Sequence, residues 1–206
     1  MQTTFNNYKV FRISKFVLLL LLITISDDSF AQSSEFDRML DRYELQFRLP
    51  KGYEREDSRI EIINGISDHL RALAQTKLKS KDGNMLIAIS VQPIDTTRDE
   101  AFVKSNGDIW NRNRNYIPFN QKYNTFPLVF SRGIYNADVA GTWNLVPFRA
   151  IPILSKDENC RVIFLHKDNM VDVEIYHFYS NITQEQLAKR LRRLQSMIYF
   201  KKDRNK

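Results

Sequence analysis

Cys160 is the only thiol of the 206-residue chain, and His69, His166 and His177 are its only imidazoles. A thiol beside an imidazole base is a nucleophile arrangement, because such chemistry needs a lowered thiol pKa. The spacing argues against it. His166 shares strand parity with Cys160 but lies six residues along. At about 3.3 Å per residue that is roughly 20 Å, far beyond hydrogen-bond reach. His177 falls in an apolar row, so a packed core thiol and an enclosed histidine are expected instead. A metal site needs several converging ligands, and the three histidines occupy separate segments with no HExxH, paired-cysteine or calcium-loop spacing. No metal and no cofactor is therefore expected. Asp172 and Glu174 share the strand face opposite His177; on an exposed face two such carboxylates read as solvent-facing partners for lysine rather than as an acid–base pair. No Gly-rich phosphate loop and no GxSxG elbow is present.

Two stretches carry chemistry suited to binding. Between Trp110 and Phe126, the flat faces of Trp110, Tyr116, Phe119, Tyr123 and Phe126 alternate with the amides of Asn111, Asn113 and Asn115 and the guanidiniums of Arg112 and Arg114. Stacking plus hydrogen bonding suits a sugar or a peptide, so Trp110, Arg112, Arg114, Tyr116, Phe119 and Tyr123 are the candidate ligand-binding residues. The competing expectation is that these aromatics pin a long loop onto the domain. At the C-terminus, Lys189, Arg190, Arg192, Arg193, Lys201, Lys202, Arg204 and Lys206 face Asp203 alone. A solvated helix face explains such a run; attraction to anionic lipid or polysaccharide is the functional reading, and it should weaken with salt.

The elements that position these groups follow from periodicity. Phe36, Met39 and Leu40 suggest a short helix within Gln32 to Arg42. Tyr43 to Leu49 alternates apolar and polar as a half-buried strand does, closed by Pro50-Lys51-Gly52. Arg59 to Ile63 reads as a strand stopped at Asn64-Gly65. His69 to Lys79 fits either a helical face or a strand with Ala74, Thr76, Leu78 and Ser80 on one side. The hairpin reading is preferred, with Met85 to Gln92 as partner across Lys81-Asp82-Gly83-Asn84 and Pro93 as the stop. Arg98 to Asn113 is compatible with a helix, weakened by Gly107. Asn111 to Asn124 looks like a long surface loop. Strands are expected around Leu128 to Arg132 and Thr142 to Val146, about a turn at Tyr135 to Asp138. Cys160 to His166 and Met170 to Tyr179 form a hairpin across Lys167-Asp168-Asn169, with Val171, Val173, Ile175, His177 and Tyr179 on one face. Thr183 and Gln186 form a capping box, and Leu187, Leu191, Leu194 and Ile198 make one apolar stripe.

Ahead of all this, Lys9, Arg12 and Lys15 precede the apolar run Phe16 to Ile25, which leads to Ser29-Phe30-Ala31. A basic segment, a short apolar run and small residues before a cut are the parts of a secretory signal. The run is half the roughly 20 apolar residues that a spanning helix requires. Residues 1–31 are thus expected to be a signal peptide and residues 32–206 a single globular α+β domain, exported and periplasmic or extracellular after cleavage near Ala31. The lone cysteine excludes an intramolecular disulfide, so the domain must rest on packing, for which a 43% apolar composition is sufficient. The net charge of +7 is mildly basic and, with export, makes nucleic acid a poor partner.

Phe47-Arg48-Leu49-Pro50-Lys51-Gly52-Tyr53, the later antiparallel strands, and a final helix ending in Met197-Ile198-Tyr199-Phe200-Lys201 resemble the PsbP-like class of small secreted α/β domains. They also look like exported proteins of Bacteroidetes-type bacteria whose role is uncharacterised. The resemblance covers about a third of the chain after the leader. It implies a central antiparallel sheet flanked by helices and an accessory rather than catalytic role, and it carries over no functional residue. The expectation is an α+β fold with a mostly antiparallel sheet and the C-terminal amphipathic helix packed on one face. The expected function is a non-catalytic binding or accessory role in the cell envelope, with a glycan, peptide or envelope protein as partner. The alternative is a small secreted hydrolase, or another enzyme whose site forms only in three dimensions.

Overall fold

Alternating apolar residues in the C-terminal third build the centre of the molecule, and the earlier strands add to it on both sides. The computed structural model describes residues 33–64, 71–94, 124–146, 148–151 and 159–202. The expected signal peptide, the predicted helix at Arg98 to Asn113 and the whole candidate set Trp110, Arg112, Arg114, Tyr116, Phe119 and Tyr123 lie outside the described residues. Packing divides the chain between Ser34 and Glu35, and every element below belongs to the second unit. In chain order these are α1 (Glu35–Arg42), β1 (Leu45–Phe47), β2 (Tyr53–Glu56), β3 (Ile60–Asn64), β4 (Arg71–Ala74), β5 (Thr76–Ser80), β6 (Met85–Pro93) and β7 (Asn124–Thr125). Then come α2 (Leu128–Phe130), which runs into a π-helical turn at Ser131–Tyr135, β8 (Val139–Asn144), β9 (Phe148–Ile151), β10 (Asn159–Lys167), β11 (Val171–Tyr179), α3 (Gln184–Leu194) and β12 (Ile198–Phe200).

The fold is α+β, and among the described residues every strand pairs antiparallel. A seven-stranded sheet runs β2-β5-β6-β11-β10-β8-β7, a three-stranded sheet runs β4-β3-β9, and β1 pairs with β12. The β10–β11 hairpin sets the register: Ile163 faces Ile175 and Leu165 faces Val173, with Asn169 taking a positive φ of 57° in the connecting turn. Because side chains alternate across a strand, the large sheet has two buried faces. Ile87, Ile89, Val91, Val173, Ile175, Ile163 and Leu165 point toward α1, α3 and the β1–β12 ladder. Ala88, Tyr176, Phe178, Val162 and Phe164 point toward Ile60, Ile62, Ala72 and Ala150 of the small sheet.

Helix α3 starts as its sequence directs. The Thr183 hydroxyl accepts from the Gln186 N–H (3.3 Å), and the Gln186 side chain accepts from the Thr183 N–H (3.0 Å). Leu187 and Leu194 are buried and Leu191 is half-buried against the sheet, each buried leucine contributing about 1.5–3 kcal/mol.

Four expectations are corrected. The segment Leu128 to Arg132 is helical rather than a strand: Phe126, Phe130 and Tyr135 pack at centroid distances of 5.1 and 6.1 Å, a spacing that a helical turn widened to π form supplies. Leu128 and Val129 stand exposed on the outward side of this helix. The next strand begins at Val139 rather than Thr142, since Asn136 already reverses the chain with φ 50°. Ala74 and Leu78 do not share a core, because the strand bends at Gln75, whose side chain exchanges two hydrogen bonds with the Val91 backbone (2.8 and 3.3 Å). The C-terminal helix stops at Leu194, and Ile198–Phe200 is a strand, its β-branched and aromatic residues suiting a ladder to β1.

Candidate functional site

Register alone decides the thiol–imidazole question. Cys160 lies opposite Phe178 and faces the small sheet, whereas His177 lies opposite Arg161 and faces the helices. The two groups are separated by the thickness of the sheet. His177 is 1% exposed; one ring nitrogen, Nδ1, bonds the Arg161 carbonyl at 3.1 Å and the other, Nε2, has no partner among the described residues. Burial pushes its pKa down to about 4, so the ring is neutral at physiological pH.

His166 is engaged on both sides: Nδ1 meets Asp172 at 2.6 Å and Nε2 meets Asp168 at 3.0 Å. Burial opposes its charge, but the two carboxylates outweigh it and hold the pKa above the ordinary histidine value. With each nitrogen committed to a carboxylate, this imidazole clamps the turn between β10 and β11.

The carboxylates of β11 are not on an open face, contrary to the sequence expectation. Glu174 is only partly exposed, and the small sheet covers its neighbours. Its Oε2 accepts from the buried Tyr176 hydroxyl at 2.5 Å and from the Gln92 amide at 3.3 Å. Gln92 also donates to Ser90 (3.1 Å), and Ser90 donates to the Leu73 carbonyl (2.9 Å). Burial raises the Glu174 pKa to about 7; the Tyr176 hydrogen bond opposes this and the Asp172 charge adds to it. This carboxyl therefore exchanges a proton near neutrality inside a network that ties the two sheets together.

Two open concavities among the described residues lie on the helix side, on either flank of the turn Arg48 to Tyr53. Gly52 permits that turn with φ 85°, and its carbonyl accepts from the Lys81 N–H at 2.9 Å. The first cleft, about 580 Å³, lies between this turn, the β5–β6 turn and the end of α3. Lys51, Lys81, Arg190 and Arg193 line it with a single carboxylate, Asp82. Asp82 is already satisfied. Arg190 reaches its Oδ2 at 2.5 Å, and the Ser80 hydroxyl (2.7 Å) and Asn84 N–H (3.1 Å) donate to its Oδ1. Those contacts hold its carboxyl well below the usual carboxylate range, Arg190 contributing most.

The second cleft, about 530 Å³, lies between the β1–β12 ladder and the π-helical turn, and no carboxylate is among its lining residues. Arg48 stacks over the Tyr199 ring at 5.5 Å, and the Tyr199 hydroxyl donates to the Gln46 side chain at 2.8 Å. Asn136 donates to the Lys201 carbonyl at 2.8 Å, fixing the strand end that presents Lys201 and Lys202.

The C-terminal basic run thus divides. Arg190 and Arg193 reach the first cleft, Lys201 and Lys202 the second, Lys189 and Arg192 line neither, and Arg204 and Lys206 lie outside the described residues. Arg48, Lys51 and Lys81 were not anticipated as partners of that run. Their sequence carried only the turn signals Pro50-Lys51-Gly52 and Asp82-Gly83, which fix a bend but not what it approaches. Comparison of the chain with protein-family models, with curated proteins and with solved structures finds no match.

Proposed function

We propose that this chain is an exported, non-catalytic binding protein of the cell envelope that holds an anionic ligand on its helix side. The observation that carries the reading is the charge of the two clefts. Lys51, Arg193, Lys201 and Lys202 have no carboxylate partner among the described residues, and the one lining carboxylate is neutralised by Arg190. Uncompensated cations around a concave surface raise the local concentration of anions and speed their capture. Among the described residues no helix is long and apolar enough to cross a membrane, and the leader's composition supports export. The aromatic and basic residues Trp110, Arg112, Arg114, Tyr116, Phe119 and Tyr123 are proposed as a further contact, on their composition.

The test is retention of the purified protein on dextran sulfate beads against neutral dextran beads, at low and at physiological salt. Retention by the sulfated matrix alone, weakening steeply as salt rises, is expected. Equal retention by neutral dextran, or indifference to salt, contradicts the reading.

A further inference from the structure

We propose that the two clefts are subsites for one ligand, a linear glycan bearing repeated anionic groups that crosses the Arg48–Tyr53 turn. This deepens the reading of the basic clefts and rests on it. The clefts share their boundary twice over. Arg48 lines one and Lys51 the other, so the turn places them no more than about 11 Å apart along an extended chain. Across the end of α3, Arg193 of its last turn lines the first and Ser196 beyond it the second. A ligand short enough to fill one cleft leaves the cations of the other unused, whereas a repeating polyanion satisfies both with one loss of translational freedom.

The lining favours a glycan over other polyanions. Beside its cations the second cleft is lined by the Gln46 amide, by Ser196 and by Tyr199, whose ring Arg48 covers and whose hydroxyl bonds Gln46. An amide and a hydroxyl, each able to donate and to accept, match the hydroxyls of a sugar ring. A bilayer is met differently, by an apolar face several residues wide set among cations. On this turn Leu49, 50% exposed, is the one exposed large apolar side chain among the described residues.

Isothermal titration calorimetry tests the proposal with galacturonic acid, its trimer and polygalacturonate, alongside polyglutamate and phosphatidylglycerol vesicles. Three charge-reversed pairs accompany the wild type: Lys51→Glu with Arg193→Glu in the first cleft, Lys201→Glu with Lys202→Glu in the second, and Lys189→Glu with Arg192→Glu outside both. All six residues are exposed, and the glutamine versions of each pair, with circular dichroism, guard against misfolding. Polygalacturonate should bind about a hundredfold more tightly per site than the monomer. Either cleft pair should lower polymer affinity at least about tenfold, and the outside pair by no more than about threefold. Loss from one cleft pair only, equal affinity for monomer and polymer, or tighter binding of polyglutamate or vesicles overturns the proposal while leaving an anion-binding protein. No binding of any anionic probe by the wild type overturns the reading beneath it as well.

Discussion

At the residue scale, loss of hydration shifts His177 and Glu174 in opposite directions, and the large sheet separates them. The His177 pKa is depressed to about 4, so the unfolded chain binds the extra proton first. Stability from this ring is complete above about pH 6.5 and is lost as pH falls toward 4. Glu174 is the reverse case: raised to about 7, it holds its proton in the fold, and stability declines as pH climbs from about 4.5 to 7. Thermal unfolding of His177→Leu should therefore gain on the wild type as pH drops from 7 to 4.5. Glu174→Gln should gain on the wild type as pH rises from 5 to 7.5. Parallel curves for either variant would show that its group is not buried as described. The imidazoles also mark the limit of one-dimensional reading. That His177 is enclosed follows from its apolar row, but that His166 is clamped by two carboxylates requires the hairpin register that places Asp172 opposite it.

At the element scale, most strands were legible because period two is a local property. Strands Met85–Pro93, Asn159–Lys167 and Val171–Tyr179 occur within a residue of where apolar runs and turn signals put them, at Met85 to Gln92, Cys160 to His166 and Met170 to Tyr179, and the Thr183–Gln186 capping box starts α3. Thr183→Ala should cost about 1 kcal/mol of unfolding free energy in urea titration, an effect near zero indicating that the cap is not formed in solution. The failures share a cause in tertiary contacts. Phe126 and Tyr135 turn Leu128–Phe130 into a helix, Gln75 bends one strand between two sheets, and β1 recruits Ile198–Phe200 out of the terminal helix. Periodicity within a window reports none of these partners. Gln75→Ala removes both hydrogen bonds to the Val91 backbone and leaves that N–H and carbonyl to find others. Destabilisation of about 2–3 kcal/mol is expected, and a change below about 0.5 would show the bend is held by something else.

At the scale of the whole molecule, the candidate site was only half legible. The cationic crowd on α3 and after it is visible in sequence, but its division into two clefts depends on a turn some 140 residues earlier brought alongside by the β1–β12 pairing. Export also belongs to this scale. N-terminal sequencing of protein recovered from the periplasmic or culture fraction should begin at Gln32, and intact Met1 in cytosolic material would contradict the leader. Placement of cations, rather than their number, is what the binding reading depends on. Variants of equal net charge separate the two most directly. Binding to dextran sulfate should fall at least about tenfold for Arg193→Glu with Lys201→Glu and stay within about threefold for Lys189→Glu with Arg192→Glu. Equal losses from the two pairs would mean that overall charge, and not the clefts, holds the ligand.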